Sequence, residues 1–271
     1  MVFPFFAIFF VLGTIIGSFL NVVIFRMNTQ KSFFGSFGGR SACMSCKNKL
    51  TWYELVPLFS FLGLRGRCRT CKSKISIQYP LVELVTGLIF ALLFLKFENI
   101  FFSSGFVFFI TYLYYAVIFS ILIVITVYDL RHKIIPDILS FVFGALAFIG
   151  LFFFHSNGIY WYIPSIMDFL SGLLIALPFA FFWLVSGGRW MGLGDAKLAI
   201  GIGWMLGLSG ALSSLTIAFY FGAIVGLFLI IFSKIYGWKY KMKSEIPFAP
   251  FLVLGTVLVF LFELNFFVFI F

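Results

Sequence analysis

The 271-residue chain is 63% hydrophobic and 22% aromatic, with only 10% charged residues and a mean hydropathy of +1.15. Those values exclude a water-soluble globule and point to a polytopic membrane protein. A formal net charge of +10, from 19 Lys/Arg against 9 Asp/Glu, would suit a nucleic-acid binder, but the distribution of the cations along the chain argues against one.

A spanning helix takes roughly 20 apolar residues. Apolar runs near 3–25, 81–97, 104–128, 137–154, 165–186, 196–209, 211–233 and 248–270 predict about eight transmembrane helices, the sixth short and Gly-rich. The first run has neither a basic start nor a small-residue cleavage site, and Gly13, Gly17, Ser18 and Asn21 mark it as a packed helix rather than a signal peptide. The many phenylalanines read mostly as lipid-facing filler. With the N-terminus outside, the inner loops are 26–80, 129–136, 187–195 and 234–247, and these loops with their flanking helix ends hold every Lys and Arg except Lys96. That bias places them in the cytoplasm.

The polar stretch 26–80 predicts a small cytoplasmic domain between helices 1 and 2. It carries ten Lys/Arg, all four cysteines and a single acid, Glu54. A Gly/Ser/Phe segment, Ser32 to Gly39, leads into it and reads as a mobile loop at the headgroup level. Cys43-Met44-Ser45-Cys46 and Cys68-Arg69-Thr70-Cys71 are two CxxC pairs. Each supplies two thiolates from one tight turn, and two such turns complete a tetrahedral zinc site. Flanking Lys47, Lys49, Arg67, Arg69 and Lys72 favour thiolates and offset the charge of the centre. The alternatives are disulfides, a redox pair and a basic nucleic-acid-binding ribbon. A reducing compartment disfavours the first, and the missing strand–helix context disfavours the second. Four sulfurs leave no open coordination position, so the expected role of zinc is structural.

Asp129 closes the third predicted helix, before the basic turn Arg131-His132-Lys133. The helix dipole disfavours a carboxylate there, which points to function; the bland alternative is a salt bridge to Arg131 or Lys133. Pro136 and Asp137 look like ordinary helix-start chemistry. Asp195 follows Gly192-Leu193-Gly194 at the start of the sixth helix, where the glycines would allow an unwound or positive-φ segment to receive an extended substrate; its alternative is an N-capping Asp. Lys197 follows on the same motif. Asp168 and Glu263 have no evident partner. The loop Gly237-Trp238-Lys239-Tyr240-Lys241-Met242-Lys243 reads as an interfacial anchor on anionic lipid.

These residues together resemble the type IV prepilin peptidase family, bifunctional leader peptidases and N-methyltransferases of the GxGD aspartyl membrane protease type. The resemblance covers Gly17 to Arg26, Arg40 through Glu54, Leu64 to Cys71, Ile75 to Glu83, Asp129 through Asp137, Gly192 to Lys197, and Ile246 to Phe251. It implies that Asp129 and Asp195 are the catalytic pair, with Gly192, Gly194, Lys197, Pro136 and Asp137 as supporting motif residues. The implied substrates are type IV prepilins or pseudopilins, cleaved after a glycine behind a short basic leader. The implied methyl donor for the new N-terminus is S-adenosylmethionine, for which the chain shows no Gly-rich fingerprint. Two departures are local: Met44 stands where the first knuckle usually has proline, and Glu54-Leu55-Val56-Pro57 stands where the family often has Asp-Asn-Ile-Pro.

The expectation is therefore an all-α polytopic protein of a bacterial inner membrane with three parts: a first transmembrane helix at 1–25, a cytoplasmic tetracysteine domain at 26–80, and a membrane-embedded aspartyl protease domain at 81–271. Its partners are prepilins and membrane lipid, with no nucleic acid. A zinc-anchored scaffold and a proton-coupled transporter are the rival classes; the transporter would need acids near the midplane.

Overall fold

A computed structural model describes residues 2–27, 41–43, 45–155, 158–189, 191–236 and 246–267. The Ser32–Gly39 loop, Met44 and the Gly237–Lys243 anchor lie outside them. The elements in chain order are α1 (Val2–Arg26), a 3-10 turn (Trp52–Leu55), α2 (Phe59–Gly63), α3 (Gln78–Lys96), α4 (Glu98–Ser103), α5 (Gly105–His132) and α6 (Asp137–Phe153). A two-residue hairpin, β1 (Phe154–His155) with β2 (Gly158–Ile159), precedes α7 (Ile166–Ser186), α8 (Leu193–Tyr236) and α9 (Ala249–Phe262).

Among the described residues, five helices are long and apolar enough to cross a membrane: residues from α1, α3, α5, α7 and α8; α6 and α9 are shorter apolar helices. α8 consists of two helices that meet at a kink at Gly207, whose φ of 69° and ψ of 176° leave the helical region, close to the boundary between the sixth and seventh apolar runs. Only glycine takes that backbone without steric cost. The last predicted span is shorter than its apolar run, because α9 stops at Phe262.

The chain forms two compact units, Met1–Val124 and Ile125–Phe271. In the first, α1 lies along α3. A Cβ at Gly13 would come within 2.7 Å of the Phe90 Cβ, and one at Gly17 within 2.8 Å of the Glu83 Cα, so these glycines set the approach of the two helices. Small residues serve this purpose in lipid, where the hydrophobic effect cannot drive helices together. The fully buried Asn21 side chain donates to the carbonyls of Gly17 (3.2 Å) and Tyr79 (3.1 Å). Phe9 stacks on Phe94 with centroids 4.8 Å apart, and Phe94 also meets Phe101 and Phe108 edge-on. These phenylalanines form an interior cluster rather than lipid-facing filler, since offset and edge-on ring contacts reward burial beyond area alone.

In the second unit α8 is the hub, packed by α6, α7 and α9. Gly201 faces the Phe143 ring of α6, Gly203 faces Gly172 of α7, and Gly255 of α9 faces the Ser214 carbonyl. Each crossing again uses a residue without a side chain where backbones approach. The Ser171 hydroxyl donates to the Gly203 carbonyl (2.9 Å), and the Ser214 and Thr256 hydroxyls meet at 3.2 Å. Asp168, for which the sequence offered no partner, completes a capping box with Ser165 at the start of α7.

Candidate active site and metal centre

In the second unit, α5 carries Asp129 in its last turn and ends at His132. Lys133, at φ 55°, turns the chain and returns its N–H to the Asp129 carbonyl (2.8 Å). This is the left-handed exit usual after a helix, here made by lysine instead of glycine. Ile135 is then buried, and Pro136, extended at ψ 119°, starts α6 with its carbonyl receiving the Ser140 N–H. A run of Ile-Ile-Pro thus fixes the loop without any glycine, by one buried side chain and one locked φ.

Asp129 is 4% exposed. Its carboxyl group accepts a hydrogen bond from the backbone N–H of Ala249, the first residue of α9. The N-terminal N–H groups of a helix have no partner within it and favour an anion. The sequence motif Pro247-Phe248-Ala249-Pro250 marks that helix start, but the donor itself is backbone and has no side-chain signature.

Asp195 occupies the third position of α8, one residue into the helix from Gly194. Neither Gly192 nor Gly194 takes a positive φ. Gly192 lies in the loop before α8, and Gly194 lies in its first helical turn, where it serves by lacking a side chain. A Cβ there would lie 2.9 Å from the Ile135 Cβ. Asp195 is half-buried and lies within Coulombic range of Asp129. Lys197 and Asp137 join as an ion pair, Nζ to Oδ1, at 2.7 Å. Asp137 is thus more than a helix-start acid: it ties the α5–α6 turn to α8. Gly192 is exposed, with no side-chain contact to assign it.

The tetracysteine segment, in the first unit, is built from two matching knuckles. The N–H of Cys43 meets the Asn48 carbonyl (2.9 Å) and that of Cys68 meets the Ser73 carbonyl (2.8 Å); the Lys47 and Lys72 N–H groups return to the carbonyls of Cys43 and Cys68. Lys47 and Lys72 both turn through positive φ, at 59° and 57°. Asn48 bridges the knuckles by donating to the Thr70 hydroxyl (3.0 Å). All four thiols are free and their sulfurs lie within 4.8 Å of one another, with Cys43 and Cys71 at 3.8 Å. A tetrahedral thiolate site with bonds of about 2.3 Å has sulfurs about 3.8 Å apart, so the constellation fits a metal of that geometry. The backbone N–H of Cys46 draws the Cys43 thiol down to about 6, which favours the ligating thiolate.

Glu54, the single acid of this segment, is spent on structure. Its carboxylate accepts from the Thr51 N–H (2.8 Å) and hydroxyl (2.6 Å), and the Thr51 contacts hold it below the usual carboxylate range. Arg69 lies over the Tyr53 ring at 5.3 Å and donates to its hydroxyl.

Residues 11–97 match the bacterial peptidase A24 N-terminal domain and residues 116–227 match the type IV leader peptidase family. Similar curated proteins carry the name prepilin leader peptidase/N-methyltransferase. One from Bacillus subtilis is 31% identical over 264 residues, covering 94% of each chain. One from Xanthomonas campestris pv. campestris is 31% identical over 277 residues, covering 92% of this chain and 88% of its own. One from Myxococcus xanthus is 36% identical over 238 residues, 84% of this chain, which spans 64% of that relative's length. No solved structure gives a significant match. With apolar helices able to cross a membrane and both parts of the family's sequence pattern in order, the chain is a membrane protein that belongs to the type IV leader peptidase family, a family of enzymes.

Proposed function

We propose that the protein is a prepilin peptidase of aspartyl type, cutting the basic leader from type IV prepilins or pseudopilins with Asp129 and Asp195. The reading rests on one observation: the α5–α6 turn and the start of α8 interlock through Ile135 and Gly194, and the two carboxyl groups interact there. The names borne by the relatives supply the substrate class.

In this reading the two carboxyl groups share a single proton. The ionised one takes a proton from water as its oxygen attacks the scissile carbonyl, and the protonated one donates to the carbonyl oxygen. The tetrahedral intermediate then collapses, its C–N bond breaks, and the departing amine takes up a proton. No covalent enzyme intermediate is needed, and the proton belongs to the pair rather than to either residue. The Ala249 N–H fixes the orientation of Asp129, and the Lys197–Asp137 pair holds the turn that carries it. Gly192 and Pro136 complete the motif as loop residues.

S-adenosylmethionine is the proposed methyl donor for the new N-terminal amine, and no residue is assigned to hold it. Zinc is the proposed metal of Cys43, Cys46, Cys68 and Cys71, with a structural role. About eight crossings of a bacterial inner membrane are proposed from the apolar runs, and the distribution of Lys and Arg supports 26–80 and both aspartates at the cytoplasmic face. The division at 25 and 80 is proposed as a functional one, and lipid rather than nucleic acid is the other partner.

The test is incubation of the purified protein with a prepilin-like peptide, with and without S-adenosylmethionine, followed by product mass. Asp129→Asn and Asp195→Asn should each lose leader removal by at least about a hundredfold while inserting normally. Full cleavage by either variant rejects the pair; an inert wild type returns the protein to the scaffold class.

A further inference from the structure

Leu58, immediately before α2, has the unusual backbone φ 61°, ψ −51°. Its N–H donates to Oε2 of Glu83 at 2.8 Å. Glu83 is a buried residue of α3 that also hydrogen-bonds Ser18 of α1. At 1.5 Å per residue, Glu83 lies about 7.5 Å along α3 from Gln78, its first residue. The chain between α1 and α3 therefore does not simply project into water. It dips back beside the ends of these two membrane helices and is pinned there.

At that depth α2 carries large apolar side chains that no described residue covers. Phe59 is 75% exposed and Leu62 70%, and at positions i and i+3 they share one side of the helix. Trp52, in the preceding 3-10 turn, is 78% exposed. Leu81, Leu84 and Val85 are exposed on α3 at the level of Glu83, as expected for a lipid-facing surface. Arg65, Arg67 and Arg69 follow α2 directly, and Lys72 and Lys74 come soon after. Apolar side chains at the level of a membrane helix end, followed by a row of cations, match the two layers of a bilayer surface: acyl chains below, phosphates above.

We propose that Trp52–Gly63 is an interfacial anchor that seats the tetracysteine domain in the headgroup layer, with Phe59 and Leu62 inserted among the upper acyl carbons. The inference does not depend on the catalytic reading. The occupant is lipid; a second copy of the chain or a soluble protein would give different results below.

The full unmodified chain is reconstituted in nanodiscs of phosphatidylethanolamine and phosphatidylglycerol doped with a lipid bearing a diazirine high on its acyl chain. Irradiation and peptide mass mapping should find lipid adducts on 52–63 about tenfold above those on the knuckle peptide 45–51. A Phe59→Ser/Leu62→Ser variant should bring the adducts on 52–63 down to the 45–51 level while α3 stays labelled and the metal content is unchanged. Equal labelling of the two wild-type peptides overturns the proposal, as cover by protein would produce. Undiminished labelling of the variant overturns it as well. Loss of α3 labelling or of metal would mark a misfolded variant, and the wild-type comparison then decides alone.

Discussion

Lys197 and Asp137, sixty positions apart in the chain, meet at 2.7 Å and bind the helix that bears Asp195 to the turn that follows Asp129. The side chains are 41% and 74% exposed, so the pair contributes only about 0.2–1 kcal/mol to stability. Its effect should appear in geometry instead. Asp137→Asn and Lys197→Met are each expected to lower kcat about tenfold with little change in KM or melting temperature. The exchange variant Asp137→Lys/Lys197→Asp should recover most of the rate. Single variants that cut at the wild-type rate would remove the pair from the machinery.

Gly194 leaves no room for a methyl group. Its Cβ would sit 2.9 Å from a branched, buried carbon of Ile135, which has little freedom to yield. Gly194→Ala is expected to cost about 1–3 kcal/mol of strain and to displace Asp195, so that cleavage falls further than stability does. Adding Ile135→Ala should restore part of the activity. Turnover measured beside thermal unfolding for the single and double variants checks this, and a silent Gly194→Ala would show that the contact relaxes freely.

A proton-sharing pair works only when it holds one proton. Cleavage of a leader peptide should therefore be bell-shaped in pH: lost on the acid side, where both carboxyl groups are protonated and no base remains, and lost on the alkaline side, where both are ionised and no acid remains. Rates across pH at saturating substrate test it. A profile rising steadily to high pH would point to a different base.

The four thiols should hold one metal ion per chain, measured by elemental analysis of reduced protein. Cys68→Ser, at the buried ligand, should abolish it. Because proton and metal compete for thiolate, retention should fall as pH is lowered. Chelation should expose 41–77 to protease, since so small a polar domain has little core of its own. Full protease resistance of the metal-free protein would leave the cysteines without a structural task.

What the sequence displayed was chiefly one-dimensional: apolar run length, the small residues of α1, and the two knuckles. The glycines that marked α1 as a packed helix do pack it, against α3. Harder to read were the places where backbone takes the part of a side chain. The Ala249 amide beside Asp129 is an ordinary peptide group, visible only through the prolines that begin its helix. The Gly207 break lies in an apolar run rich in glycine, and composition could not say which glycine would bend. Hydropathy likewise read most phenylalanine as lipid-facing without saying which were exceptions, and ring packing draws Phe94 and Phe97 into the interior.

The interruption at Gly207 has a mechanical meaning for the segment that carries Asp195. A continuous helix transmits twist along its length, but a rod with one extended residue in it carries little torsion past that point. The portion from Leu193 to Leu206 is steadied sideways by the Ser171 hydroxyl on the Gly203 carbonyl, not by stiffness inherited from the residues beyond. The place of Asp195 is therefore set locally, by the close approach of Gly194 to Ile135, the packing of Gly201 and Gly203 on α6 and α7, and the Lys197–Asp137 pair, and not by the residues beyond the break.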